Sequence, residues 1–86
     1  MKIVAEPIDA VVRFKKKEKP EPVKFKYNEN GIDIVIKVDK ILEVEETRIA
    51  GIKAIVYRCQ SEIAGVARRY ELKYISDKCC WELFKI

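Results

Sequence analysis

Val23-Lys24-Phe25-Lys26-Tyr27, then Asn28-Glu29-Asn30-Gly31, then Ile32-Asp33-Ile34-Val35-Ile36-Lys37-Val38 is the stretch whose reading decides the fold. In the first run Val23, Phe25 and Tyr27 alternate with lysines. In the last run Ile32, Ile34, Ile36 and Val38 share one parity. A period of two puts one set of side chains on a buried face and the other in water, the signature of strands. The intervening residues tolerate positive φ, as a tight hairpin turn requires.

The same pattern extends in both directions. Upstream, Ile8, Ala10, Val12 and Phe14 share one face of a predicted first strand, with Pro7 at its edge. Lys15–Pro22 (KKKEKPEP) has no apolar residue except its prolines and reads as an exposed loop. Downstream, the parity of Ile32 carries on to Leu42 and Val44. A strand that long exceeds the usual length, so a bend, bulge or break is expected between Val38 and Ile41. Glu43–Ala54 alternates least clearly and also admits a helical turn. Ala54–Gln60, Val66–Ile75 and Cys79–Ile86 complete the series, separated by turns at Ser61–Gly65 and Ser76–Lys78. The expectation is one all-β domain over residues 1–86, with about six antiparallel strands in a meander. Such a sheet must cover its apolar face, which a small, partly open barrel or roll achieves.

The 86 residues carry a net charge of +4, and its placement is uneven. Arg13–Lys26 holds seven cations against Glu18 and Glu21, a balance of +5, so the rest of the chain is close to neutral. Scattered charge would serve solubility; a cluster admits either an anionic partner or a solvated loop with edge-strand lysines that block sheet-to-sheet pairing. No apolar run approaches the ~18 residues a membrane span needs. Met1-Lys2 is followed by too few apolar residues for a secretory leader. With three cysteines, an odd number, and Cys79 beside Cys80, the chain reads as a cytoplasmic protein without disulfides.

Most chemistry is excluded by composition. There is no histidine, which removes the commonest general acid–base group and the commonest metal ligand. Cys59, Cys79 and Cys80 lack the spacing of a zinc knuckle and have no imidazole to activate a thiolate. Glu43, Glu45 and Glu46 read as a solvated strand end near Arg48. Gly31, Gly51 and Gly65 each fall at a turn, so no phosphate-cradling loop exists. No catalytic residue, metal or cofactor is expected.

Two clusters remain as candidate sites. Lys15, Lys16, Lys17, Lys24 and Lys26 would form a basic loop and stripe able to neutralise phosphates. Arg58, Arg68 and Arg69, with Tyr57, Tyr70 and Tyr74, would form an arginine–aromatic surface of the kind that single-strand binders use, Arg58 and Arg68 meeting across the hairpin. The expected function is a small non-enzymatic binding module for nucleic acid, or for a protein engaged with it. The alternative is a protein-interaction or homo-oligomerisation domain acting through an edge strand, Ile8–Phe14 or Trp81–Ile86.

The order of cues Val12-Arg13-Phe14, Pro22-Val23-Lys24-Phe25, Gly31, Val38-Asp39-Lys40-Ile41, Tyr57-Arg58-Cys59, Gly65, Tyr70-Glu71-Leu72 and Trp81-Glu82-Leu83 resembles small bacterial β-barrel domains of unknown function. Such domains occur near accessory proteins of Y-family translesion DNA polymerases. The resemblance implies no catalytic residue. It does imply an accessory role, with a DNA-repair protein as a possible class of partner.

Overall fold

A computed structural model describes all residues, Met1–Ile86. It is all-β: β1 (Ile3–Arg13), β2 (Glu21–Glu29), β3 (Ile32–Lys37), β4 (Lys40–Ile49), β5 (Ile52–Ile63), β6 (Val66–Ile75) and β7 (Cys80–Lys85), with a single 3-10 turn at Ser76–Lys78. All neighbours are antiparallel, in one unclosed sheet ordered β3-β2-β1-β7-β6-β5-β4. No helix is long and apolar enough to cross a membrane.

The count is seven because the long third run breaks at Val38-Asp39, inside the expected window. Glu43–Ala54 holds no helical turn; it is strand on both sides of a tight hairpin. Three hairpins turn on two residues each: Asn30-Gly31, Ala50-Gly51 and Ala64-Gly65. In every pair both residues have positive φ, near +50° and then near +80°, the turn type whose twist matches flanking strands. The strands therefore run closer to the glycines than the composition of the turns implied.

β1 starts five residues earlier than expected and does two jobs. Its first part pairs with β7, from Ile3↔Lys85 to Ile8↔Trp81, and its second part pairs with β2, from Asp9↔Lys26 to Arg13↔Glu21. Pro7 lies where β7 flanks one side and no strand flanks the other, a position that tolerates a missing N–H. Because β1 changes partners midway, the sheet folds over along it. A wing of β3, β2 and the end of β1 lies over the remaining strands. Phe25 and Ile36 from this wing pack on Ile55, Tyr57, Cys59, Tyr70, Leu72, Trp81 and Leu83. The Phe25 and Tyr70 rings meet at 5.4 Å, and Trp81 lies 5.2 Å from Tyr57 and 5.0 Å from Tyr74.

The first and last strands are thus partners of each other in mid-sheet. Trp81–Ile86 is flanked by β1 and β6 and is no edge, whereas Asp9–Arg13 pairs with β2 alone and has no strand on its other side. The apolar groups on both faces of β7 are covered. Trp81 and Leu83 enter the core, and Phe84 on the outside lies under the Lys73 ammonium at 4.0 Å. The free edges are β3 and β4.

A polar knot ties them at one end. Ser61 Oγ donates to the Lys37 carbonyl (2.7 Å) and accepts from the Asp39 N–H (3.2 Å); it also bonds the Tyr70 hydroxyl (2.6 Å). Asp39 Oδ2 accepts from the Glu62 N–H at 2.8 Å.

Burial of acidic groups in this core sets the alkaline limit of stability. Desolvation pushes the Cys59 thiol from 9.0 up to about 12, and the Tyr57 phenol from 10.0 up to about 12. Tyr70 is raised as well, by burial. Only the neutral forms suit the folded state. Their contribution is complete below the unfolded values and is lost as pH climbs through the folded ones. Denaturant unfolding should show stability falling steadily from about pH 9 to 12. In Cys59→Ala the fall should begin about one unit later, where the tyrosines start to titrate.

Candidate functional site

The chain between β1 and β2 is held at its ends and displayed in the middle. Arg13 and Glu21 form an ion pair across its base at 3.8 Å, and Lys19 reaches Glu46 on β4 at 3.8 Å. Pro20 is buried, and its carbonyl accepts the Tyr57 hydroxyl. Pro22, equally buried, already belongs to β2 and pairs with Val12. The predicted loop Lys15–Pro22 is therefore exposed only as far as Lys19. Within it the Glu18 N–H donates to the Lys15 carbonyl at 3.1 Å, and Lys17 takes φ +62°. That tight turn presents Lys15, Lys16 and Lys17 to solvent.

Phe14 stands beside them, 66% exposed. Its parity assigned it to the core face with Ile8, Ala10 and Val12. β1 ends at Arg13, however, and the chain that returns beside it buries Pro20 and Pro22 instead. The ring is left outside, next to three lysines. Alternation alone missed it, because alternation does not say where a strand stops.

Lys24 and Lys26 point away from the core, as expected. The register adds a third lysine: Lys37 on β3 lies directly opposite Lys24. Like charges facing each other across strands are unfavourable. None of Lys15, Lys16, Lys17, Lys24, Lys26 and Lys37 takes part in an ion pair. Two exposed valines share this outer face: Val11 is the cross-strand neighbour of Lys24, and Val35 that of Lys26. A shallow depression of about 270 Å³ runs over Val11, Lys24, Lys26 and Val35, with Asp9 at its rim.

The second cluster is not assembled as anticipated. Arg58 lies opposite Glu71, whereas Arg68 lies opposite Ser61, on the other face of the sheet. The two do not meet across the hairpin. Arg58 is matched by three carboxylates: Glu45 at 2.8 Å, Glu43 at 3.1 Å and Glu71 at 3.6 Å. The hydrogen bond to Glu45 raises its pKa further. Arg69 hydrogen-bonds Gln60 at 3.4 Å, and Arg68 is exposed with no ionic partner. Tyr57 and Tyr70 are core residues and Tyr74 is half-buried against Trp81, so their faces form no open stacking surface.

The other nucleophiles and carboxylates are accounted for locally. Cys59 is fully buried, Cys80 half-buried and Cys79 exposed. Glu43 and Glu45 are bridged by Arg58, and Glu46 by Lys19. No family model, curated protein or solved structure matches the chain.

Arg58 thus compensates Glu71, a carboxylate only 5% exposed. Glu71 is buried and Arg58 is partly exposed, so removing the guanidinium leaves a buried carboxylate without its counter-ion. Arg58→Leu should lower the thermal midpoint, and Glu71→Gln added to it should recover most of the loss. Scanning calorimetry of the two single variants and the double variant measures this coupling.

Proposed function

We propose that the chain is a non-enzymatic module that binds single-stranded nucleic acid. The site is the Phe14–Lys17 turn and the outer face of β1, β2 and β3. One observation carries the reading: an aromatic ring stands in solvent beside three unpaired lysines, at the end of the wing where Lys24 and Lys37 face each other. Single-strand binders combine these two elements. Cations follow the phosphates with no sequence preference, and a ring offers its face to a base. A protein of this size has little room for a deep groove, so an open face that tracks a backbone suits it better than an enclosed pocket.

The lysines supply the electrostatic part. Each phosphate neutralised on a single strand contributes about 0.7 to the slope of log affinity against log salt. Lys15, Lys16, Lys17, Lys24, Lys26 and Lys37 together would give a slope of about −4. Phe14 supplies the stacking part, about 1–3 kcal/mol. Val11 and Val35 offer apolar contact to sugars and base edges between the lysines. Arg58 is left out because its charge is already matched. Arg68 and Arg69 lie on a different strand pair and would extend the surface only for a longer strand.

Fluorescence anisotropy with a labelled single-stranded oligonucleotide, at low and moderate salt, tests the reading. The Lys15/Lys16/Lys17→Ala variant should reduce the salt slope by about 2. Phe14→Ala should weaken binding by about tenfold or more while leaving the slope unchanged. Absence of binding at tens of micromolar protein in low salt would overturn the proposal. So would equal binding by the wild type and both variants.

A further inference from the structure

The two free edges are not alike. β4 carries the features that keep an edge from pairing with another chain. It has a bulge between Ile41 and Glu43, three glutamates at Glu43, Glu45 and Glu46, and the Lys19–Glu46 bridge across its inner side. Two copies of β4 laid antiparallel would set glutamates against glutamates. β3 carries two charges of opposite sign, Asp33 and Lys37, and only its Lys37 end is capped, by Ser61. It has no proline, and its ladder with β2 runs without a register shift from Lys24↔Lys37 to Glu29↔Ile32. Ile32 and Val35 are 66% and 63% exposed.

The hydrogen-bond phase of β3 is fixed by the Val38 N–H donating to the Val23 carbonyl at 2.9 Å. Bonded pairs alternate in an antiparallel ladder. Ile36 and Ile34 therefore exchange bonds with β2, while Lys37, Val35 and Asp33 point their N–H and C=O groups away from it. The Lys37 carbonyl is taken up by Ser61. The outward groups of Val35 and Asp33 belong to no ladder.

The sequence Ile32-Asp33-Ile34-Val35-Ile36-Lys37-Val38 is self-complementary about Val35. We propose that β3 pairs antiparallel with β3 of a second copy about a two-fold axis at Val35. Val35 then faces Val35, Lys37 faces Asp33 of the second copy, and Ile34 faces Ile36 of the second copy on the inner side. The N–H and C=O of each Val35 bond to those of the other. Charge complementarity selects this occupant. The ammonium of Lys37, set against Lys24 within one chain, gains a carboxylate in the pair. The arrangement is isologous, so it closes at two copies and does not propagate. The contact is short for a stable interface, so the dimer is concentration-dependent. The inference is independent of the nucleic-acid reading, though pairing would join two lysine faces into one surface.

Sedimentation velocity on the full chain, from low micromolar to about millimolar, tests it without any ligand. The wild type should pass from monomer to dimer as concentration rises. Lys37→Asp sets two aspartates against each other across the axis, while placing an attractive charge opposite Lys24 within the chain; it should stay monomeric. The Asp33→Lys/Lys37→Asp exchange restores complementarity and should dimerise again. Val35→Pro removes an N–H that points away from β2 and should abolish the dimer. A wild type that stays monomeric throughout would overturn the proposal, as would undiminished association of Lys37→Asp and Val35→Pro.

Discussion

The hydroxyl of Ser61 holds the fold together at the place where alternation alone would let it run on. A hydroxyl has one proton and two lone pairs. Ser61 uses all three, donating to the Lys37 carbonyl and accepting from the Asp39 N–H and the Tyr70 hydroxyl. Without those bonds the backbone groups at the break would be left unpaired in a half-buried site. With them, the chain passes from one free edge of the sheet to the other in two residues. At the other end of the wing, β1 turns the sheet over so that Phe25 meets Tyr70, and β3 and β4 have no ladder between them.

Charge follows the same division. On the wing formed by β1, β2 and β3, lysines stand without carboxylate partners. On β4, β5 and β6, carboxylates converge on Arg58, and Glu71 is buried beneath it. The excess positive charge is concentrated in the Arg13–Lys26 segment of this wing, whose flanking strand residues include Glu6, Asp9, Glu29 and Asp33. The loop after β1 belongs to both regions. Pro20 and Lys19 tie it to Tyr57 and Glu46, and its tip points into solvent. A loop anchored in this way loses less entropy on binding than a free one.

Much of the fold was legible because period-two alternation assigns each side chain to a face before any strand is paired. It correctly put Phe25 and Ile36 inside, and Lys24 and Lys26 outside. The break after Val38 was visible as excess length. Three things were not legible. The order β1-β7 in mid-sheet depends on closure between the chain ends, which no local pattern encodes, so Trp81–Ile86 was read as an edge and β3 and β4 were not. The Lys24–Lys37 pair depends on register, and the separation of Arg58 from Arg68 depends on it too. The exposure of Phe14 depends on β1 stopping at Arg13, which alternation does not mark. The first two are long-range relations between residues whose local signals are ordinary.

The most direct test of the assigned surface is a backbone-amide NMR titration with a short single-stranded oligonucleotide at low salt. Shifts concentrated at Phe14–Lys17 and around Lys24, Lys26 and Lys37, with Arg58 and its glutamates unmoved, are the predicted result. Shifts centred on Arg58, Arg68 and Arg69, or no shifts at all, would contradict it.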